Sequence, residues 1–289
     1  MNGILLIDKP AGWTSMDVCA RLRGAFHEKH VGHSGTLDPM ATGLLVVFLG
    51  RATRAVEFAE ADGKVYEAAL RLGVVTDTQD STGTVLETHP VHVTEEALDA
   101  VLGRFVGEQD QLPPMYSALK VDGTPLYRIA RKGGTVARKP RRITIHSLER
   151  TGRSGEDYLL SVRCSKGTYI RTLCHDIGAA LGCGGVMSAL RRTAAGAFSL
   201  SDAHSLEEAV AAAEAGRGEA LLLPADCLWP EAKRLRLSPG QEKTVRNGGS
   251  YTCRLPEGSY RLYGTGGEFL ALAELRRGCM KPVKSFFEV

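Results

Sequence analysis

The sequence predicts an α+β protein in two parts: a large body over 1–228 and a small β-rich tail over 231–289. Three observations carry this. Apolar runs of strand length stand among stretches whose apolar residues recur at helical spacing. Helix starts are marked by capping residues. Near Pro224 to Pro230 the character changes, and the chain becomes short-stranded, glycine-punctuated and basic (Lys233, Arg234, Arg236, Lys243, Arg246, Arg254, Arg261). A length of 289 residues allows one large domain or two, and 43% hydrophobic with 24% charged residues fits a globular protein with an adequate core.

The elements follow in chain order. Residues 3–10 read as a strand entering a turn, with no basic leader and too short an apolar stretch for a signal peptide. Thr14 caps a first helix, Asp17 suits its positive end, and Val18, Cys19, Leu22 and Phe26 share a face. A glycine-rich stretch over 31–43 precedes the apolar strand 44–49, and a short helix is expected from about Ala52 to Ala59. Residues 64–72 read as a strand. A helix starts at Thr94, with Glu95 and Glu96 at its positive end and Leu98, Val101, Leu102 and Phe105 as its buried stripe. Residues 158–164 form another strand. The next helix carries Ile170, Leu173, Cys174, Ile177 and Leu181 and is stopped by Gly182, Gly184 and Gly185. Ser205 and Glu208 form a capping-box pattern for a helix reaching about Glu214.

Residues 111–142 differ from their surroundings. They combine prolines and glycines with Lys120, Arg128, Arg131, Lys132, Arg138, Lys139, Arg141 and Arg142, against the single acid Asp122. Two readings stand: a solvated loop, or an insert that grips phosphates, with Tyr116 and Tyr127 available to stack on bases. The net charge of +3 says little about partners by itself. Seven scattered cysteines without a C-x-x-C pattern make disulfide frameworks and zinc knuckles unexpected and point to a reducing cytoplasm. No apolar run approaches the roughly 18–20 residues of a membrane helix.

The candidate chemistry centres on Asp38, in Val31-Gly32-His33-Ser34-Gly35-Thr36-Leu37-Asp38-Pro39-Met40-Ala41-Thr42-Gly43. Glycines let a backbone take unusual conformations and let a large ligand approach. An acid on such a loop, against a buried strand, looks placed, although an ordinary Asp-Pro turn has the same local signature. Arg171 opens a helix directly after a strand and can pair bidentately with Asp38, favouring the ionised carboxylate; spacing alone leaves it equally an ordinary surface arginine. Tyr66 is either sheet packing or a stacking platform. His33 is better suited to stacking or loop shaping than to base catalysis. His27, His30 and His33 recur at threes, but the zincin pattern fails and no matching carboxylate or cysteine ligand accompanies them, so no metal is expected. A nucleophile elbow, a Walker loop and a dinucleotide fingerprint are all missing. Cys174 and His175 face different sides of one helix, so they make a poor pair. A carboxylate, an arginine, tyrosines and a basic surface remain, and these suit covalent or electrostatic work on an RNA nucleotide.

These residues resemble the TruB family of tRNA pseudouridine synthases. Gly32-His33-Ser34-Gly35-Thr36-Leu37-Asp38-Pro39 is similar to the family signature, as is the opening over 3–15, which includes Lys9-Pro10. Lys64-Val65-Tyr66, Ser117-Ala118-Leu119-Lys120-Val121-Asp122-Gly123, Tyr127-Arg128-Ile129-Ala130-Arg131, Cys164-Ser165-Lys166-Gly167-Thr168-Tyr169-Ile170-Arg171 and Leu190-Arg191-Arg192-Thr193 match further blocks in family order. Val46 and Met40 depart from the family's usual proline and leucine and read as packing variations. The tail resembles a PUA-type RNA-binding domain more weakly, through Leu237-Ser238-Pro239-Gly240 and Arg246-Asn247-Gly248-Gly249.

The resemblance implies a catalytic domain with a central mixed, mostly antiparallel sheet flanked by helices. It implies isomerisation of one uridine in the T arm of tRNA, by a cytoplasmic monomer that needs no metal, cofactor, membrane or obligate protein partner. It makes Asp38 the nucleophile, Arg171 its partner, and Tyr66 the residue that stacks on the flipped base and assists proton removal from carbon five. His33, Tyr169 and Leu190 would contact the substrate, and Lys9, Lys120 and Arg131 would help bind it. The alternatives are an RNA-guided relative working on a scaffold with partner proteins, and a tRNA-folding chaperone or binding module without essential chemistry.

Overall fold

The computed structural model describes residues 1–59, 63–121 and 123–287. The chain opens with β1 (Gly3–Lys9), α1 (Ser15–Ala25), β2 (Val31–Ser34) and β3 (Thr42–Leu49). A 3-10 turn over Gly50–Ala55 leads into α2 (Val56–Ala59), β4 (Lys64–Leu72) and the hairpin β5 (Val74–Thr76)–β6 (Val85–Thr88). Next come α3 (Glu95–Arg104), β7 (Gly107–Gln111), β8 (Lys120–Val121), β9 (Thr124–Pro125), α4 (Leu126–Ala130), β10 (Arg141–Ser154) and β11 (Asp157–Cys164). Then follow α5 (Ile170–Ala180), β12 (Gly185–Ala195), β13 (Phe198–Ser199), β14 (His204–Ser205) and α6 (Leu206–Glu214). The last part holds β15 (Lys233–Arg236), α7 (Pro239–Arg246), β16 (Tyr251–Thr252), β17 (Gly258–Tyr263), β18 (Phe269–Arg276) and β19 (Cys279–Ser285).

The large sheet is mixed, in the order β14-β1-β3-β12-β4-β11-β10-β7, with β2 added to β3 and β13 to β12. Within this sheet, among the described residues, only β1–β14 and β3–β12 pair in parallel. The β3–β12 seam is just two residues long, Arg191 opposite Thr42 and Arg192 opposite Gly43. Beyond it β3 turns to pair with β2. Gly43 permits this approach: it has φ +95°, and a Cβ there would lie 2.3 Å from the Arg192 carbonyl oxygen.

Both faces of β1 and β3 are covered, which is why their sequences are continuously apolar rather than alternating. Leu5, Ile7, Leu45, Val47 and Leu49 pack on α1 and α6. Ile4, Leu6, Leu44, Val46 and Phe48 face the other way, into a cluster with Phe198, Trp229, Phe269 and Phe286. Fully burying each such side chain contributes about 1.5–3 kcal/mol. The last sheet, β15-β17-β18-β19-β16, has its own core around Leu262, Leu270, Leu275 and Met280. It is joined to the large body by aromatic contacts: Trp229 lies 5.7 Å from Phe286 and 5.2 Å from Phe58, centroid to centroid.

The expected elements occur with a few differences. The helix expected at 52–59 is split, because Thr53 Oγ1 donates to the Gly50 carbonyl and tightens the first part into a 3-10 turn. The segment 111–142 is not a free loop at its ends: Gln111 belongs to the edge strand β7, and Arg141 and Arg142 belong to its neighbour β10. Its middle forms the β8–β9 hairpin and α4, and the expected lone acid Asp122 lies outside the described residues. The tail carries a helix, α7, that its β-rich reading omits, opened by a capping box at Ser238 with Pro239 as first residue.

Candidate active site

The Asp38 loop is fixed at three successive residues. Leu37 is buried, its N–H donates to Ser15 Oγ at 2.9 Å, and Ser15 Oγ donates back to its carbonyl at 3.2 Å. The Ala41 N–H closes a turn on the Asp38 carbonyl, and the Gly12 N–H donates to the Pro39 carbonyl. The main chain therefore presents the Asp38 carboxylate without freedom to swing, and the side chain keeps 31% exposure.

Arg171 stands in the first turn of α5 and is buried. The helix entry is fixed by Gln111, whose amide accepts from the Tyr169 N–H at 2.8 Å and donates to its carbonyl at 3.0 Å. Each guanidinium nitrogen meets acceptors. Nε lies 2.8 Å from Asp38 Oδ2, and Nη2 donates to Asp38 Oδ1 at 3.1 Å and to the Tyr116 carbonyl at 2.8 Å. Nη1 donates to the Thr78 carbonyl at 3.3 Å and to Asp80 Oδ2 at 3.5 Å. Asp80 is buried in the β5–β6 hairpin, and its Oδ1 accepts from Thr78 Oγ1, Thr82 N and Thr82 Oγ1. This bidentate pairing orients the Asp38 carboxylate in its plane.

Burial raises the Asp38 carboxyl above its ordinary value; Arg171 opposes the rise, Asp80 adds to it, and Lys9 opposes it more weakly. A raised carboxyl is a more basic one, and the guanidinium beside it favours the ionised form.

Tyr66, in the middle of β4, is buried, and desolvation raises its phenol strongly enough to outweigh the pull of Arg192. Burial likewise raises the Tyr169 phenol, and Arg171 and Asp38 both act on it. Leu190 packs with Tyr66, Leu37 and Ala41 in one cluster. His33 lies on β2; burial and then Arg192 lower its pKa, and its Nδ1 is buried without a partner among the described residues. Asp38, Arg171, Tyr66, Tyr169 and Leu190 are thus gathered from four separate parts of the chain, Tyr169 and Arg171 both coming from the start of α5.

Two expected substrate contacts stand apart from this group, and a third, Lys9, lies beside it with its ammonium otherwise engaged. Lys120 and Arg131 are exposed on the insert, with Arg131 over the Tyr127 ring at 5.5 Å. Lys9 requires a correction. It is fully buried, and its ammonium donates to the carbonyls of Trp13 at 2.6 Å, Pro10 at 2.9 Å and Pro39 at 3.3 Å. It ties the chain's opening turn to the Asp38 loop and has no donor left for an RNA phosphate. Two buried charged residues, Asp80 and Arg192, escape the sequence reading. The hydroxyl-flanked run Thr78-Gln79-Asp80-Ser81-Thr82 is the one signal that marks Asp80. Among the described residues no group of three or more His, Cys, Asp and Glu side chains is placed to hold a metal ion.

Comparison with known proteins adds an independent line. The profile described as TruB family pseudouridylate synthase (N terminal domain) matches residues 23–170. That described as tRNA pseudouridylate synthase B C-terminal domain matches 171–228. The site draws on both, with Asp38, Tyr66 and Tyr169 in the first and Arg171 and Leu190 in the second. The chain is 48% identical over 285 residues to the tRNA pseudouridine synthase B of Azoarcus sp. (strain BH72), covering 98% of this chain and 94% of that one. It is 51% identical over 229 residues to the protein of the same name from Syntrophotalea carbinolica, covering 79% and 75%. A chain in the crystal structure of a Cbf5-Nop10-Gar1 complex superposes with a TM-score of 0.73 at 26% identity, covering 99% of this chain and 85% of that one.

Proposed function

The chain belongs to the TruB family of pseudouridylate synthases, and from that premise we propose that it converts a uridine in the T arm of tRNA to pseudouridine, with Asp38 as nucleophile. The enzyme class is that of the relatives named tRNA pseudouridine synthase B: an isomerase acting on uridine in tRNA. The observation that carries the finer reading is the half-buried Asp38 carboxylate, fixed by its loop and clamped by Arg171, with two phenols beside it.

The reaction follows from these groups. The target nucleotide leaves its stack at a cost of a few kcal/mol, which contacts to the extruded base and the backbone offset. Asp38 attacks it, at the ribose carbon or at the base, and the N-glycosidic bond breaks. The bonding pair stays on the uracil, whose anion is delocalised and remains in the pocket while it turns. As the bond between Asp38 and the nucleotide breaks and returns its electron pair to the carboxylate, carbon five bonds to the ribose carbon. Its C–H bond breaks, the electron pair restores the carbon five–carbon six double bond, N1 takes a proton from water, and the Tyr66 oxygen accepts the proton lost from carbon five. Tyr169 and Leu190 line the space for the base, and His33 contacts the extruded strand. The insert carrying Lys120 and Arg131 holds backbone phosphates, and the tail from Glu231 is a second, PUA-like RNA-binding unit. The enzyme works as a monomer in the cytoplasm on tRNA, without an obligate protein partner. Among the described residues no helix is long and apolar enough to cross a membrane.

The superposition on a chain from a Cbf5-Nop10-Gar1 complex keeps one other reading in view, action on a scaffolded RNA with partner proteins. Identity of 44–51% to proteins named for tRNA favours the first reading. The test is Asp38→Asn with a bare tRNA transcript, with pseudouridine read by mass spectrometry and binding by filter retention. The expected result is no product with binding retained. Appreciable pseudouridine from the variant overturns the nucleophile assignment. A wild-type enzyme that is active only after protein partners are added supports the scaffolded reading instead.

A further inference from the structure

Arg192 is the largest fully buried side chain in the protein. Its guanidinium donates to two main-chain carbonyls: from Nε to Leu44 at 2.7 Å and from Nη2 to Gly35 at 3.0 Å. These two bonds stitch the place where β3 leaves β12 and turns to β2. Nη1 is buried and has no hydrogen-bond partner among the described residues. A structural stitch accounts for two of the three nitrogens. It does not account for a full positive charge kept out of water with one donor unspent, which is costly to bury.

The register shows what that charge faces. Arg192 stands directly opposite Tyr66 across the antiparallel pair β12–β4, and opposed residues of such a pair share a face of the sheet. The other titratable groups acting on the Tyr66 phenol are Cys164 from β11 and Asp38 from its loop, and both disfavour phenolate, as does burial. Arg192 alone opposes all three. His33, on β2, has its pKa lowered by burial and then by Arg192, both of which disfavour a competing charge there.

We infer that Arg192 is a positioning residue for the reaction: its buried guanidinium, facing Tyr66 across the β12–β4 pair, stabilises the phenolate that takes the proton from carbon five. This rests on the reading of Tyr66 given above. In that step the C–H pair enters the carbon five–carbon six double bond, the proton passes to the phenolate oxygen, and the phenol returns it to solvent before the next turnover. An arginine suits the role because two of its donors can be spent on the fold while the delocalised charge of the whole planar group still acts on the phenol.

The test replaces tyrosine with a difluorotyrosine, whose phenol ionises near neutral pH, and follows the Tyr66 fluorine resonance, assigned by its loss in Tyr66→Phe. Arg192→Gln is expected to move the Tyr66 titration up by about one pH unit or more, a tenfold loss of phenolate. A titration that stays in place in a folded variant overturns the proposal. Should Arg192→Gln not fold, Arg192→Lys is read kinetically under single turnover. It is expected to slow product formation at least about tenfold in the native background and to add no loss in the Tyr66→Phe background. Equal losses in both backgrounds overturn the coupling. Undiminished product from Tyr66→Phe itself overturns the proton-acceptor reading of Tyr66, a different outcome from a titration indifferent to Arg192.

Discussion

Asp38 and Asp80 share one guanidinium: Arg171 holds Asp38 Oδ2 at 2.8 Å from Nε and Asp80 Oδ2 at 3.5 Å from Nη1. The two neighbours act on the Asp38 proton in opposite senses. Arg171 favours the ionised carboxylate, and Asp80 disfavours it. The pair of substitutions below separates the two effects.

Arg171→Met removes the cation, so Asp38 binds its proton more tightly. The acid limb of the single-turnover pH–rate profile is expected to move to higher pH. The rate on the plateau falls about 10²-fold or more, because the carboxylate loses its orientation. A limb left in place would show that Asp38 is not the group titrating.

Asp80→Asn removes the neighbouring anion, so Asp38 releases its proton more easily and the same limb moves to lower pH. The variant also leaves a buried guanidinium less well matched, at a cost of about 3 kcal/mol read by denaturant unfolding. Movement of the limb in the same direction as in Arg171→Met contradicts the shared-guanidinium account.

Lys9 predicts a pH dependence of stability. Burial lowers its pKa from 10.5 to about 8. Below about pH 8 the ammonium is charged in both folded and unfolded chains, and the full cost of burying it is present. Between about 8 and 10.5 the unfolded chain binds the extra proton, so stability from this group rises with pH. Lys9→Met lacks that rise. The stability difference between wild type and variant is expected to grow in favour of wild type by about 1–3 kcal/mol over this window; a constant difference speaks against a buried, depressed lysine.

The insert predicts a salt response. Lys120 and Arg131 are exposed, and each phosphate contact releases counterions on binding. Replacing both by alanine is expected to weaken tRNA binding and to flatten the slope of log K against log salt by about 1.4–1.8. An unchanged slope places the phosphate contacts elsewhere on the protein.

Much of this site was legible in the sequence as separate blocks, and little of it as a network. Asp38 is marked by the glycines and proline around it. Its contact with Arg171 spans 133 positions and follows only from how α5 and the loop converge. Asp80 sits in a hydroxyl-rich hairpin of ordinary appearance, and its burial is decided by Arg171 lying beneath it. Arg192 occupies a strand whose Ala-Leu-Arg-Arg-Thr-Ala-Ala run shows no clear alternation; its burial is created by β3 and β4 closing on either side. Lys9 shows the same limit from the other direction. A lysine before a proline looks solvent-facing until three carbonyls, two from the turn that follows it and one from the Asp38 loop, wrap its ammonium.

Trp229, Phe269 and Phe286 lie against the back of β1 and β3, and this bears on how the protein tolerates being cut. Stopping synthesis before Trp229 strips those rings from Ile4, Leu6, Val46 and Phe48 and bares an oily patch on β1 and on β3, the strand that the Asp38 loop leads into. A shortened chain of that kind is a poor soluble fragment, prone to clump through the bared strands. The catalytic body and its small β appendage are therefore one inheritance unit, and grafting either onto another protein means bringing those aromatic rings along.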